Sequence, residues 1–216
     1  KKLKSFDFSY DNVGKLAHIS VKESVLPFSK FSGVDIVLGP EMKSTGEVMG
    51  IGSTVGEAFA KSQISANQNL PVKGKIFLSV KDEDKREVVF LAKKLQDMKF
   101  SLVSTPGTGK VLRAHGVNVD QVGRYDQGKG DMLNLMTLIK NNEIALIVNT
   151  PSGERSQDDM RAIRATAILQ NIPCITTLQA AREAVNGIEA MLTKEVGVRS
   201  LQSLYNSARG VSCAVS

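Results

Sequence analysis

From Lys75 onward the sequence alternates short apolar runs with longer stretches of helical period, and this alternation restricts the fold more than any other feature. KIFLSV (75–80), FSLVST (100–105), residues 117–124, EIALIVNT (143–150) and IPCITT (172–177) read as strands. DKREVVFLAKKLQDM (84–98) sets Val88, Leu91, Ala92 and Leu95 at helical spacing, with Asp84 and Glu87 placed as a variant of the capping box. GTGKVLRAHG (107–116) reads as a short helix closed by Gly116. DMLNLMTLIKNN (131–142), with Asp131 near its start, QDDMRAIRATAILQN (157–171) and LQAAREAVNGIEAML (178–192) complete the helices. Helical crossovers between short apolar strands imply a parallel sheet covered on both faces. The predicted fold class is therefore α/β and Rossmann-like.

Such sheets bind ligands where strand carboxyl ends meet helix amino ends. Polar groups fall at those points: Ser104, Thr105, Gly107 and Thr108 after one strand, Arg124 after another, and Asn149, Thr150 and Ser152 after a third. Lys85 opens the first helix. Small hydroxyls and amides with two cations nearby point to a site for an anionic small molecule. The stretch FSLVSTPGTGKVL (100–112) has the tail of an ATPase P-loop, but that pattern needs Gly, four residues, then Gly-Lys-Ser/Thr. Ser104 stands at its first position and Val111 at its magnesium-binding hydroxyl. What remains is a strand, a turn and a helix start, which still direct backbone N–H groups at an anion.

Composition narrows the partners. The 216 residues are 42% hydrophobic and carry a net charge of +6. The basic residues are scattered, and 8 Phe, 3 Tyr and no Trp give little to stack on bases, so nucleic acid is not an expected partner. No apolar run approaches the roughly 20 residues that span a membrane, and KKLKSFDFSYDNVGK has no apolar stretch behind its charges to make it a signal peptide. Cys174 and Cys213 show neither metal spacing nor a disulfide framework, and Cys174 falls in a strand as a small core residue. A cytoplasmic protein is expected.

The first 66 residues differ. HISVKESVLPF (18–28) alternates like a strand, GVDIVLGPEMKSTGEVMGIG (33–52) is Gly-rich, and STVGEAFAKSQISANQ (53–68) reads as a helix capped by Ser53 or Thr54. So short a segment buries a marginal core alone. It reads as the end of a domain that begins upstream, with the change of character near Asn67–Pro71.

These residues carry a likeness. VKESVLPFSKFSGVDIVLGPEMKSTGEVMGIG (21–52) closely resembles the last part of the second ATP-grasp unit of the carbamoyl-phosphate synthase large-subunit family, and GPEMKSTGEVMG is specific to it. Residues 72–216 resemble that family's C-terminal allosteric domain, which has the methylglyoxal-synthase-like fold. The likeness thins after about Ala180, and RSLQSLYNSARGVSCAVS stays unplaced, so residues 193–216 have no assigned role. The implied organisation is an ATP-grasp remnant over residues 1–70 and a methylglyoxal-synthase-like domain over 71–216.

The resemblance implies a regulatory part of a ligase that makes carbamoyl phosphate, for pyrimidine and arginine biosynthesis, from glutamine or ammonia, bicarbonate and ATP. ATP, Mg2+ and K+ then belong to the full-length enzyme, and most catalytic residues lie upstream. No catalytic residue and no metal ligand is assigned here; Glu23, Glu41 and Glu47 form no evident metal pair. Implied partners are the upstream part of the large subunit, a glutaminase small subunit and effectors such as UMP, IMP or ornithine, with homo-oligomerisation a further expectation. Residue by residue, the family's effector-phosphate lysine matches Lys85, its Thr-x-Gly-Thr loop matches Thr105-Pro106-Gly107-Thr108, a second cation matches Arg124, and its Asn-Thr-x-Ser-Gly stretch matches Asn149-Thr150-Pro151-Ser152-Gly153.

The same fold serves a phosphate lyase, methylglyoxal synthase. GKGDMLNLMTLIKNNEIALIV (128–148) resembles it, with Asp131 at its catalytic aspartate, but NTPSG lacks the carboxylate expected after the next strand. An acid–base elimination needs further positioned groups, and the two histidines, His18 and His115, are poorly placed for it.

Overall fold

The computed structural model describes residues 18–26, 44, 46–123, 133–150 and 153–208. The expected α/β fold with a parallel sheet is present. Six strands, β3 (Lys75–Ser79), β4 (Ser101–Ser104), β5 (Asp120–Gly123), β6 (Leu133–Asn134), β7 (Ile144–Asn149) and β8 (Cys174–Ile175), form one sheet in the order β6-β5-β4-β3-β7-β8. Every pairing in it is parallel. The chain builds outward from β3 through β4, β5 and β6, then returns to place β7 on the other side of β3.

Strand alternation sends apolar side chains to both faces. Ile76 and Leu78 of β3 join the core beneath α2 (Lys85–Asp97), α3 (Pro106–Ala114) and α6 (Leu178–Thr193). Phe77, between them, joins Val103 and Ile147 in the opposite core. That second core is closed by Leu138 and Ile139 of α4 (Leu135–Lys140) and Ile163 and Ala167 of α5 (Gly153–Leu169). Each face thus removes a continuous apolar layer from water, the main stabilising term in such a fold. Cys174 packs against the second core, half-buried.

Helix ends follow one repeated device. Asn67, Lys99, Gly116, Asn142 and Asn171 adopt left-handed backbone with φ of 58°, 69°, 78°, 57° and 53°. In each case the next amide donates to a carbonyl five residues back, for example Phe100 to Leu95 at 3.1 Å and Ile172 to Ala167 at 2.9 Å. This is the Schellman closure, which turns a helix sharply toward the next strand. Of the five, only Gly116 had announced itself as a helix end in the sequence.

Several element boundaries differ from the sequence reading. The capping box expected at Asp84 and Glu87 does not form. A 3-10 turn at Asp82–Asp84 leads directly into α2, so Asp84 already has helical backbone and makes no side-chain cap. Glu87 pairs with Arg182 of α6 instead. α3 begins one residue early, at Pro106, whose fixed φ suits a first helical position. The predicted helix over 131–142 is Leu135–Lys140, preceded by the short strand β6. α5 starts four residues early, at Gly153, and α7 (Leu201–Ala208) occupies part of the tail the sequence left unassigned.

Before the sheet, β1 (Ile19–Val25) and β2 (Gly46–Gly52) pair antiparallel, with Ile19 opposite Gly52. α1 (Val55–Ser65) lies across β2 so closely that a Cβ on Gly50 would fall 2.0 Å from the Ala58 carbonyl oxygen. The other side of α1 meets α6, where a Cβ on Gly56 would fall 2.5 Å from the Asn186 carbonyl oxygen. Both contacts require backbone against backbone, which only glycine permits. Glu23 accepts from Ser62 Oγ at 3.0 Å and from Gln63, and Glu47 pairs with Lys22 at 2.8 Å. Glu41 lies outside the described residues.

The start of α1 carries the reciprocal cap that α2 lacks. Thr54 Oγ1 accepts from the Glu57 amide at 3.2 Å, while the Glu57 carboxylate accepts from the Ser53 amide and hydroxyl, both at 2.8 Å. Lys61 Nζ donates to the same carboxylate at 2.8 Å. Led by the Lys61 bond and then those from Ser53, these interactions lower the Glu57 pKa from 4.5 to about 2. Folding therefore favours the ionised carboxylate, and this stabilisation is complete above about pH 4.5 and lost as pH falls toward 2. Glu57→Gln is expected to lower stability by about 1 kcal/mol at pH 7. Denaturant unfolding should show the gap to wild type narrowing below pH 4.5; a gap unchanged near pH 2 would contradict the assignment.

Candidate functional site

Helix α2, which follows β3, covers one face of the sheet, and α5, which follows β7, covers the other. The strand order therefore reverses between β3 and β7, and at such a switch point open parallel sheets hold ligands in a crevice at the carboxyl ends. The groups singled out in the sequence converge here. Thr105 Oγ1 lies 3.4 Å from Ser79 Oγ and 3.3 Å from Thr108 Oγ1, joining the ends of β3 and β4. Lys81 N donates to Thr150 Oγ1 at 2.9 Å, and Asn149 Nδ2 donates to the Ser79 carbonyl at 3.2 Å, joining β3 to β7. Lys85 Nζ lies 3.3 Å from the position that a Cβ on Gly107 would take, above the start of α3. Arg124 and Ser152 lie outside the described residues, as does Asp131.

The cluster divides into an exposed and a buried set. Pro106 and Gly107 are exposed, and Thr105 and Lys85 are half-buried. Thr105 caps α3 in extended backbone without a side-chain cap bond. Its hydroxyl lies against Ser79 Oγ and Thr108 Oγ1 instead. The first intrahelical bond of α3 runs from Gly109 N to Thr105 O at 2.8 Å, so the amides of Gly107 and Thr108 have no intrahelical acceptor. An anion there would meet two amides, one hydroxyl and one ammonium.

The remaining members hold the crevice rather than line it. Thr108 is 1% exposed, and its hydroxyl accepts from the Val80 amide at 3.2 Å. Thr150 and Asn149 are buried and already engaged with Lys81 and Ser79. Ser104 is fully buried, and its Oγ has no hydrogen-bond partner among the described residues. It sits against the Cα of Gly109, where a Cβ would approach to 2.5 Å. The sequence reading treated all these hydroxyls alike, because a loop sequence does not reveal which side chains the turn buries.

Lys85 is held by Asp82 Oδ1 at 2.5 Å, while the Asp82 side chain itself is 89% exposed. An exposed carboxylate grips a cation weakly, so an incoming dianion can take its place. One residue escaped the sequence reading. Arg164 of α5, 1% exposed, donates from Nη1 to Asn149 Oδ1 at 2.8 Å. The available signal was a charged residue beside Ile163 and one turn from Ala167 on the apolar side of a helix. Among the described residues no group of three or more His, Cys, Asp or Glu could hold a metal, and no helix is long and apolar enough to cross a membrane.

Residues 87–176, which include most of this crevice, match the family described as the MGS-like domain. Over 194 residues the chain is 49% identical to the carbamoyl phosphate synthase large chain of Acidobacterium capsulatum, covering 90% of this chain and 18% of that protein. Over 192 residues it is 44% identical to the C-terminal section of the large chain from Methanocaldococcus jannaschii, covering 89% of this chain and 31% of that one. The chain is a homologue of the C-terminal section of the carbamoyl phosphate synthase large chain. It spans about a fifth to a third of the length of these curated relatives. Methylglyoxal synthase from Elizabethkingia anophelis NUHP1 aligns with a TM-score of 0.42 and 20% identity over 54% of this chain and 79% of that one.

Within the MGS-like domain the buried hydroxyls are the testable supports. Thr108→Val keeps the shape but strands the Val80 amide, and is expected to destabilise by about 1–3 kcal/mol. Denaturant unfolding measures this; wild-type stability in the variant would show that the Val80 amide has another acceptor.

Proposed function

We propose that this chain is the regulatory portion of a carbamoyl phosphate synthase large chain, and that its MGS-like domain binds a nucleotide monophosphate or a related anionic effector. One observation carries the reading: Lys85 Nζ lies over Gly107 at the start of α3, where the amides of Gly107 and Thr108 lack an intrahelical acceptor and the Thr105 hydroxyl bridges the β3 and β4 ends. A phosphate dianion gains from each of these at once, and the exposed Asp82 is the only acidic group seen to compete for Lys85 among the described residues. UMP, IMP and ornithine are the effectors to examine. ATP-dependent synthesis, with its Mg2+ and K+, is assigned to the upstream part of the large chain, and the glutaminase subunit is the expected source of ammonia. Residues 1–70 are read as the end of that upstream ATP-grasp unit. An effector regulates only if it binds two states of the whole enzyme unequally, so binding is the property that this chain alone can display.

Isothermal calorimetry of the chain against UMP, IMP, ornithine and inorganic phosphate tests the reading. Saturable nucleotide binding, competed by phosphate, is expected. Lys85→Ala and Thr105→Ala should each weaken it about ten-fold, from loss of charge-assisted bonds. Unchanged affinity in both would remove this crevice as the site. Asp82→Asn frees Lys85 and is expected to tighten phosphate binding about two- to five-fold; weaker binding in that variant would mean that Asp82 positions the lysine rather than competing for it.

A further inference from the structure

Arg164 heads the largest fully buried side chains among the described residues, and at 1% exposure it cannot touch a ligand in the crevice. A guanidinium placed so deeply must be matched by acceptors, because an uncompensated buried charge is strongly destabilising. One acceptor is Asn149 Oδ1, at 2.8 Å. The consequence lies in the amide. An asparagine side chain is nearly the same shape either way round, but a guanidinium only donates. Arg164 therefore fixes the oxygen toward α5 and leaves Nδ2 to face the Ser79 carbonyl, to which it donates at 3.2 Å. The same carbonyl accepts the Thr150 amide at 3.1 Å. Ser79 Oγ in turn lies 3.4 Å from the Thr105 hydroxyl. A continuous polar line thus runs from α5, past the ends of β7 and β3, to the exposed lip of the crevice.

We propose that Arg164 is the positioning residue of this anion site. By orienting Asn149 it holds the β3 and β7 ends at the spacing that presents Thr105 and Lys85 to a phosphate group, without contacting that group. The proposal rests on the anion-binding reading above and adds to it a determinant on the opposite face of the sheet. It follows that ligand affinity depends on the Arg164–Asn149 pair as a unit, whereas a merely structural arginine would affect only unfolding.

The test is a double-mutant cycle read by calorimetry with inorganic phosphate and with UMP. Each variant is titrated well below its unfolding temperature, with folding verified by circular dichroism. Arg164→Met and Asn149→Ala are each expected to weaken binding about ten-fold, and the double variant should be no weaker than the worse single one. Arg164→Lys, which keeps the charge but loses the planar fork, should fall between wild type and Arg164→Met. Losses that simply add in the double variant would overturn the proposal. So would an Arg164→Met protein with a lowered melting temperature but wild-type affinity. If Arg164→Met does not fold, Arg164→Lys decides: affinity about three-fold weaker or worse supports the role, and wild-type affinity overturns it. Loss of binding in Lys85→Ala with full binding in Arg164→Met removes this inference and leaves the site standing. A wild-type chain that binds neither probe removes both.

Discussion

A parallel strand cannot return to its neighbour through a tight turn, and the architecture of the MGS-like domain follows from that restriction. Each strand needs a crossover, helices occupy the β3–β4, β4–β5, β6–β7 and β7–β8 connections, and they bury both sheet faces. The strands are then free of polar side chains along most of their length: Ile76, Phe77 and Leu78 in β3, and Leu146, Ile147 and Val148 in β7, are all buried. Polar chemistry is pushed to the strand ends. The reversal of direction at β3 separates two crossovers and leaves the only kind of place on such a sheet where backbone groups from several strands can face one ligand.

At that place the labour is divided by depth. Hydroxyls and amides beneath the surface satisfy the backbone of the neighbouring loop, as Thr108 does for Val80 and Thr150 for Lys81. An unsatisfied buried amide is expensive, so these residues are committed before any ligand arrives. The groups nearer the solvent, Thr105, Gly107 and Lys85, carry less structural duty, and the exposed Asp82 holds the lysine only loosely. Beneath the surface the polar groups are engaged with backbone, and above it Lys85 meets only an exposed carboxylate among the described residues. This also explains why residues with the same chemistry in the loop sequence have different roles in the folded chain.

Much of the fold was legible because its periodicities are strong. The apolar run EIALIVNT could only be a strand buried on both faces, and Val88, Leu91, Ala92 and Leu95 could only mark one side of a helix. Strand ends were legible for the same reason, so Ser104, Thr105, Asn149 and Thr150 could be assigned to the carboxyl ends of β4 and β7, with Gly107, Thr108 and Lys85 in the helices that follow β4 and β3. What stayed hidden depends on tertiary context. β6 has two residues and no pattern of its own. Glu87 looked like a capping acid because Arg182, almost a hundred residues away, was not visible as its partner. Thr54-x-x-Glu57, with the same pattern, does cap, because no 3-10 turn precedes it. Lys99 and the three asparagines at helix ends have no conformational privilege as clear as that of Gly116. Arg164 resembled one more surface charge on an amphipathic helix.

The outward order of the sheet also sets a sequence of events in time. Ser79 meets Thr105 across 26 residues of chain, but it meets Asn149 across 70. The entropy surrendered on closing a loop rises with the logarithm of its length, a difference of about 1 kcal/mol in favour of the shorter closure. Short-range contacts also assemble faster than long-range ones. β3 and β4 can therefore zip together while β7 is still seeking its place. The crevice, having one wall from each half, comes into existence only when β7 pairs with β3, so its occupancy would report chains in which the two halves of the sheet have joined.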